Sequence, residues 1–219
     1  MGATGAGKST FINYLVGKEV AKVGKTLSSC TASLQDIYVD ADQYSRLNKG
    51  RIVFLDTPGF DNSFGDGDID ILTKIVEWLE SSYKDKKVVL GGVVYLHDIS
   101  SNHSIATAQR NLEMFQYLCG QEALGRVIIG TTKWRRIDEK TGDANYKELQ
   151  EVHWKTLTAK GARVRRFNDS TESAWSFIDV LNTNVKYRKN RPGTQKEAVV
   201  DNKALIYLSR KLRKYLCFP

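Results

Sequence analysis

The first nine residues place the strongest constraint on what this 219-residue chain can fold into. Residues 2–9, Gly-Ala-Thr-Gly-Ala-Gly-Lys-Ser, match the pattern G-x-x-x-x-G-K-[ST] at every fixed position, and we call them the phosphate loop. Glycines let successive backbone N–H groups point into one concavity that can bind phosphate oxygens. Lys8 is expected to reach the β- and γ-phosphates of a nucleotide, and the Ser9 hydroxyl to ligate Mg²⁺. The residues of this segment predicted to contact a nucleotide are Gly2, Ala3, Thr4, Gly5, Ala6, Gly7, Lys8, Ser9 and Thr10.

The position of the phosphate loop in the chain is unusual. Such a loop normally follows a buried β-strand, whereas only Met1 precedes Gly2 here. That strand is among the most buried of a parallel sheet, so its loss costs several kcal/mol of a stability of about 5–15 kcal/mol. We therefore expect either a sheet that lacks this strand or a chain that is truncated at its start.

A second motif follows a strongly apolar segment. Residues 51–55, Arg-Ile-Val-Phe-Leu, predict a strand that ends in Asp56-Thr57-Pro58-Gly59. A carboxylate at the end of such a strand, such as Asp56, holds Mg²⁺ through water. Gly59 can place its N–H against a γ-phosphate because it has no side chain in the way. Thr31, in the polar loop at 23–33, fits either a mobile loop that closes on Mg²⁺ or an ordinary surface threonine.

The rest of the chain alternates between strand and helix patterns. Apolar spacing predicts an initial helix over 9–15, strands over 32–39, 88–96, 126–130 and 164–167, and helices over 68–83, 105–118, 144–159 and 173–181. This alternation predicts an α/β fold, a doubly wound and mostly parallel sheet that binds its ligand at the carboxyl ends of the strands. We expect this domain to occupy residues 1–183.

Composition narrows the setting of the protein. Its apolar fraction of 41% is enough for a core, and no apolar run reaches the roughly 20 residues that span a membrane. The three cysteines, Cys30, Cys119 and Cys217, are odd in number and far apart. This spacing favours a reduced, cytoplasmic protein without a cysteine metal site.

The net charge of +8 lies in the C-terminal tail, because residues 184–219 hold ten Lys and Arg against two Asp and Glu. Leu205, Leu208, Leu212 and Leu216 form one stripe of a predicted basic amphipathic helix. Such a helix can lie on an anionic membrane or bind a partner protein, and docking on its own domain remains an alternative. Nucleic acid is not expected as a partner, since no aromatic stacking platform accompanies the charge.

The order of these motifs resembles the GTPase superfamily. The runs at 2–13 (GATGAGKSTFIN), 55–61 (LDTPGFD) and 92–97 (GVVYLH) are similar to its septin-like branch. That branch includes the immunity-associated (GIMAP-type) GTPases and the chloroplast Toc receptors, and the chain looks most like fungal G-domain proteins within it. The resemblance covers about residues 1–181 and implies GTP or GDP with Mg²⁺ as ligands. It assigns catalytic roles to Lys8, Thr31 and Gly59, and metal ligation to Ser9, Thr31 and Asp56.

The base-reading motif departs from the family pattern [NT]-K-x-D. Thr132 and Lys133 fit, but Arg135 stands where the aspartate is expected, and an arginine accepts no hydrogen bonds. Asp138 is the nearest acid in sequence, while Asn168 or Asp169, after the last predicted strand, are the other candidates for contact with the base. The resemblance therefore implies guanine, and the residues alone leave a preference for ATP open.

The hydrolytic machinery also departs from the pattern. Phe60 follows Gly59, where Ras-like enzymes have a glutamine that orients the attacking water. GIMAP-type relatives can supply an arginine across a dimer, but residues 100–106 contain no arginine. His103 in this loop could orient water or be an ordinary solvated residue. We expect slow hydrolysis, or hydrolysis assisted within a nucleotide-dependent homodimer. The alternatives are a pseudo-GTPase that binds without useful turnover, and an ATP-preferring NTPase or kinase with a phosphate loop.

Overall fold

The computed structural model describes residues 1–21, 23, 33–40, 51–60, 67–84, 91–101, 105–119 and 121–189. The predictions on Thr31, on His103 and on residues 190–219 lie outside the described residues. The helices are α1 (Lys8–Val16), α2 (Gly67–Lys84), α3 (Ile105–Cys119), α4 (Glu139–Glu148), α5 (Lys155–Ala159) and α6 (Thr171–Lys189). The strands are β1 (Gln35–Asp40), β2 (Arg51–Asp56), β3 (Val93–Asp98), β4 (Val127–Thr132) and β5 (Arg163–Arg166).

The strands form two hydrogen-bonded groups, and residues 1–3 lie between these groups in space. Strands β3, β4 and β5 pair in parallel in that order, and β1 pairs with β2 antiparallel. Gly2 forms a parallel bridge with Leu96, and Ala3 forms another with Phe60, just after β2. The Leu96 N–H donates to the Met1 carbonyl at 2.9 Å, and the Phe60 N–H donates to the Gly2 carbonyl at 3.2 Å. Residues 1–3 thus lie between the two groups, in line with the predicted mostly parallel sheet.

Helices cover both faces of the parallel strands, because successive side chains of a strand point to opposite faces. On one face Tyr95 and Ile129 belong to a buried cluster with residues of α3 and α5. On the other face Leu96 and Ile128 pack with residues of α1 and α6. The apolar partners are Ala108, Leu112, Phe115, Trp154 and Leu157 on the first face, and Phe11, Leu15, Trp175, Phe177 and Ile178 on the second. This two-sided core confirms the doubly wound α/β architecture.

The predicted helix over 144–159 is interrupted in the structure. Helix α4 begins earlier, at Glu139, because the Asp138 carboxylate caps it by accepting a hydrogen bond from the Thr141 N–H at 2.9 Å. Residues Leu149–His153 then form one turn of π-helix before α5. Leu149 and Leu157 stay buried across this irregular turn, so the apolar spacing reflects burial on both sides of the break rather than one continuous helix.

The last helix is longer than the pattern predicts. Helix α6 continues to Lys189, past the predicted domain boundary at 183, and the next helix-breaking residue in the sequence is Pro192. None of the helices in the described part of the chain is long and apolar enough to cross a bilayer.

Candidate nucleotide-binding site

The phosphate loop is shaped by glycines in the left-handed region of backbone space. Gly5 has φ 76° and Gly7 has φ 89°, conformations that residues with a Cβ rarely adopt. Gly7 directly precedes α1, so the loop ends at the N-terminus of a nine-residue helix, and Thr10 lies in its first turn. Free N–H groups and the positive end of the helix dipole both favour an anion at this place. The sequence pattern and the backbone geometry therefore point to the same phosphate site.

The Lys8 side chain folds back over its own loop. Its ammonium nitrogen donates to the Gly2 carbonyl at 3.1 Å and to the Ala3 carbonyl at 3.0 Å. These contacts keep a positive charge beside the loop backbone, at the place where the pattern expects phosphate oxygens.

Ser9 and Asp56 meet across the site, as expected for a shared metal. The Ser9 hydroxyl donates to Asp56 Oδ2 at 2.9 Å, and the Asp56 side chain is almost fully buried. Its other oxygen, Oδ1, has no hydrogen-bond partner within the described residues. A buried carboxylate oxygen without a partner is costly, and hydroxyl and carboxylate oxygens are the ligands that Mg²⁺ prefers. The pair fits the predicted magnesium site, where Ser9 and Asp56 would hold the ion.

Gly59 packs directly against Thr4 of the phosphate loop. A Cβ built on Gly59 would lie 2.5 Å from Thr4 Cα and 2.7 Å from Thr4 N, distances that real Cβ atoms do not show. Thr4 Oγ1 is buried in this contact and has no hydrogen-bond partner in the described part of the chain. The segment after β2 therefore reaches the loop itself, and only a glycine fits at position 59.

The end of β4 supplies the next wall of the site. The Thr132 hydroxyl donates to the carbonyls of Ala6 and His97 at 3.0 and 3.1 Å, which ties the strand to the phosphate loop. Lys133 has a left-handed backbone with φ 59°, and its ammonium nitrogen lies 2.7 Å from Asp98 Oδ2. Burial favours the neutral form of Asp98, but hydrogen bonds from Lys133 and Ser100 outweigh it and hold the pKa of that carboxyl below its usual value.

The Asp98–Lys133 ion pair was not foreseen from the sequence. Asp98 ends an apolar strand next to β4 in a parallel sheet, so the rule that functional side chains gather at the carboxyl ends of strands could have found it. Its neighbour His97 is buried and meets Trp154 edge to face at 5.2 Å, and burial lowers the pKa of the imidazole to about 4. These contacts indicate a structural role for His97.

The candidates for reading the base are now distinguishable. Asp138 caps α4, and the hydrogen bond from the Thr141 N–H lowers the pKa of its carboxyl. Asn168 is exposed after β5, and its backbone N–H donates to the Ser173 hydroxyl at 3.0 Å. Asp169 has φ 50°, and its Oδ2 lies 4.0 Å from Arg135 Nε. The structure thus brings the loops after β4 and β5 together at Arg135 and Asp169.

Comparison of the whole fold gives several similar solved structures. Toc33 from Arabidopsis thaliana in complex with GDP and Mg²⁺ matches with a TM-score of 0.60 at 14% identity, over 84% of this chain and 82% of that one. Toc33 with Mg²⁺ and GMPPNP matches with a TM-score of 0.56 at 13% identity, over the same shares. A bacterial selenocysteine-specific elongation factor, EF-Sec, matches with a TM-score of 0.55 at 16% identity, over 89% of this chain but 29% of that one.

Comparison of the sequence with family models gives a match over the first part of the domain. No curated protein gave a significant match. Residues 1–133, which run from the phosphate loop to Lys133, match the model of the family described as 50S ribosome-binding GTPase. Since this match covers more than half of the chain and includes the phosphate loop, Asp56 and Gly59, the chain belongs to that GTPase family.

Proposed function

We propose that the chain binds a guanine nucleotide with Mg²⁺ at the phosphate loop, hydrolyses GTP slowly, and works as a nucleotide-dependent switch. The observation that carries this proposal is the contact between the Ser9 hydroxyl and the buried Asp56 carboxylate, whose second oxygen has no partner among the described residues. This donor set suits one divalent cation that completes its shell with phosphate oxygens and water.

Each group of the site has a defined role in the proposed reaction. Lys8 would exchange its contacts with the loop carbonyls for the β- and γ-phosphates, and the loop N–H groups would stabilise the same charge. Mg²⁺, when bound, would neutralise charge on the phosphates as water attacks the γ-phosphorus. Gly59 would donate its N–H to the γ-phosphate, and Thr31 would close on the metal as the first switch.

Guanine is the base that the comparisons support best. The family is one of GTPases, and similar folds have been solved with GDP and Mg²⁺ and with GMPPNP and Mg²⁺. The septin-like branch, suggested by residues 2–13 and 55–61, is part of this proposal and is supported by the likeness to Toc33 at the level of the fold.

Slow turnover is supported by the surroundings of Phe60. This side chain is 1% exposed and stacks on Tyr95, with ring centroids 6.4 Å apart. An apolar ring buried in the core cannot orient an attacking water, so a group from elsewhere would be needed for rapid hydrolysis. The same observation favours the second candidate function, a pseudo-GTPase that binds nucleotide and changes partner affinity without useful turnover.

Partners are proposed on separate grounds. A homodimer that forms with bound nucleotide would supply the missing hydrolytic group, and one solved Toc33 structure is of a dimerization-deficient mutant. The excess positive charge of residues 184–219 supports attachment of a cytoplasmic protein to an anionic membrane surface.

The decisive experiment compares Lys8→Ala with Lys18→Ala by calorimetry, using GDP, a non-hydrolysable GTP analogue and ADP. Lys18 is an exposed lysine just after α1 and serves as a matched control for lost charge. We expect wild type and Lys18→Ala to bind guanine nucleotides alike, and Lys8→Ala to lose most of the affinity. Equal affinities for all three proteins would refute the site, and a rapid GTP turnover would refute the slow-hydrolysis part.

A further inference from the structure

A guanine site needs a hydrogen-bond acceptor for the base, and the usual position does not provide one. Guanine presents the N1–H and the 2-amino group side by side, and both are donors. A carboxylate accepts from both at once, whereas the guanidinium of Arg135 holds donors alone. If guanine binds here, the acceptor lies elsewhere in the chain.

Among the described residues, two other acids near this edge of the sheet have structural roles. Asp138 caps helix α4 through its contact with the Thr141 N–H. Asp98 forms the ion pair with Lys133 at 2.7 Å and accepts from the Ser100 N–H and hydroxyl at 3.0 and 2.7 Å. Moving either carboxylate to a base would leave a helix end or a half-buried ammonium without its partner.

Asp169 lies at the carboxyl ends of the parallel strands, the same edge of the sheet as Lys133. Strands β4 and β5 are parallel neighbours, and the Phe167 N–H donates to the Thr131 carbonyl at 2.9 Å, so the chains that leave both strands start side by side. Lys133, the first residue after β4, lies next to the phosphate loop, since a Cβ on Gly5 would be 3.8 Å from its ammonium nitrogen. The loop that carries Asp169 therefore borders the same site.

Asp169 has an unusual backbone conformation and a partly buried carboxylate that faces Arg135. A left-handed φ of 50° is uncommon for a residue other than glycine, and such conformations gather at functional positions. The Asp169 side chain is 26% exposed, and its Oδ2 faces Arg135 Nε at 4.0 Å. The carboxylate is thus partly shielded from solvent and lies beside the Arg135 guanidinium.

Arg135 is turned towards Asp169 by its neighbour in the chain. The Trp134 ring points inward, where its Nε1–H donates to the Thr131 carbonyl at 3.1 Å and the Arg166 guanidinium covers its face at 3.9 Å. Because Trp134 is anchored, the short 3₁₀ turn at Trp134–Arg136 directs Arg135 outward. This arrangement places the Arg135 guanidinium beside the Asp169 carboxylate.

We propose that Asp169 is the residue that selects guanine, by accepting hydrogen bonds from N1–H and the 2-amino group, and that Arg135 is a positioning residue for it. The inference rests on the proposed guanine-nucleotide function and deepens it. Adenine offers an acceptor at N1 and no 2-amino group, so the carboxylate rejects it. Hypoxanthine keeps N1–H but lacks the amino group, so inosine diphosphate is expected to bind between GDP and ADP.

The test measures affinities of full-length protein for GDP, IDP, XDP and ADP with Mg²⁺ present. We expect Asp169→Asn to weaken GDP at least about tenfold, because the carboxylate charge is lost and the new amide NH₂ faces the 2-amino group of guanine, donor against donor. The same variant should gain affinity for XDP, whose 2-carbonyl accepts from the new amide. Gained XDP binding cannot result from damage to the fold, so it separates base reading from a structural effect.

Three further variants complete the test. Asp143→Asn removes another surface carboxylate that faces an arginine, Arg166 at 3.9 Å, and should leave all four affinities unchanged. Arg135→Ala should weaken GDP by roughly two- to fivefold, as expected for an exposed ion pair, without a gain in XDP binding. Asn168→Ala tests the neighbouring amide and should not alter the order of the four nucleotides.

The outcomes separate this inference from the proposed function. Suppose that the wild type prefers GDP over ADP, and that Asp169→Asn keeps this preference and gains no affinity for XDP. This result would overturn the role of Asp169 and leave the proposed guanine-nucleotide function intact. A change of order in Asn168→Ala with none in Asp169→Asn assigns base reading to the amide and equally overturns the role of Asp169. Wild type that binds no guanine nucleotide overturns the proposed function and this inference with it.

Discussion

The backbone of Gly59 packs against both the backbone and the hydroxyl of Thr4, so the segment after β2 and the phosphate loop are in direct contact. A Cβ on Gly59 would approach Thr4 Cα to 2.5 Å and Thr4 N to 2.7 Å. Since these are main-chain atoms, no rotamer change can relieve the overlap. Any side chain at 59 must therefore separate the two segments that are proposed to surround the γ-phosphate.

We expect Gly59→Ala to weaken binding of a GTP analogue by more than it weakens binding of GDP, because the displaced N–H would serve the γ-phosphate. Adding Thr4→Gly should not restore the loss, since the overlap involves backbone. Gly91→Ala is the matched control, as a Cβ there meets nothing within 4 Å. Equal losses for the two nucleotides would contradict a γ-phosphate role for Gly59.

Replacement of Ser9 by alanine should remove the dependence of nucleotide affinity on Mg²⁺. The hydroxyl is one of the two protein groups that fit the ion, and Asp56 alone should hold it poorly. The measurement is GDP affinity with excess Mg²⁺ and with EDTA, which should converge for Ser9→Ala. Ser81→Ala, which removes an exposed hydroxyl bound to the Trp78 carbonyl, should keep the wild-type difference.

Insertion of the glutamine of Ras-like enzymes at position 60 should not accelerate hydrolysis. The Phe60 side chain points into the core against Tyr95, so the amide of Phe60→Gln would be buried away from the nucleotide. Burying an unpaired amide costs about 1–3 kcal/mol, so the variant should unfold at lower denaturant concentration. Single-turnover rates and urea titrations of Phe60→Gln and Phe60→Leu test this, and a faster rate in the glutamine variant would contradict it.

Acidification should destabilise the protein through His97. Burial lowers the pKa of this imidazole to about 4, while in the unfolded chain it stays near 6.5. Between these values the unfolded state binds a proton that the folded state does not, so the free energy of unfolding falls as pH drops from 6.5 to about 4. The full effect is on the order of 3 kcal/mol.

His97→Phe keeps an aromatic ring against Trp154 and should flatten this part of the pH profile relative to wild type. Parallel profiles would show that His97 does not titrate on unfolding.

Deletion of residues 190–219 should abolish attachment to anionic vesicles while leaving α6, which ends at Lys189, in place. Each basic residue near such a surface contributes about 1 kcal/mol, and salt screens the attraction. Co-sedimentation with phosphatidylserine vesicles at low and high salt measures it, with neutral vesicles as the control. If the full-length chain ignores anionic vesicles at low salt, the tail has another use, such as docking on its own domain.

Local patterns predicted much of this fold because they depend on burial alone. The apolar run at 51–55 became β2, and the spacing over 105–118 became α3, each within one residue of its predicted ends. Apolar spacing places the start of this helix at 144, whereas α4 begins at Glu139, because Asp138, a candidate base-reading acid in sequence, caps the helix through the Thr141 N–H. In sequence, the Asp138 carboxylate could either cap a helix or contact a base. Its contact with the Thr141 N–H in the structure shows that it caps α4.

The contacts between separate elements were not predictable in the same way. The approach of Gly59 to Thr4 and the Lys133–Asp98 pair join residues that are far apart in the chain. They depend on how closely two strand ends converge, which no local periodicity encodes. The sequence could place each motif on its own loop, but the choice of Asp169 over Asp138 required the register of β4 and β5.

The β-bridges formed by residues 2 and 3 give the start of the phosphate loop a second role, in joining the strands. Hydrogen-bonded continuity between the β1–β2 pair and the three parallel strands passes, in the described chain, through the carbonyls of Met1 and Gly2. The backbone that would hold phosphate therefore also connects the two parts of the sheet. Binding of a ligand to the loop is then thermodynamically linked to the pairing of residues 1–3 with both parts. A ligand that binds the folded loop raises the free energy of unfolding by RT ln(1 + [L]/Kd). By the same linkage, a core substitution remote from the loop lowers apparent nucleotide affinity whenever it populates a conformer in which residues 1–3 have left the sheet.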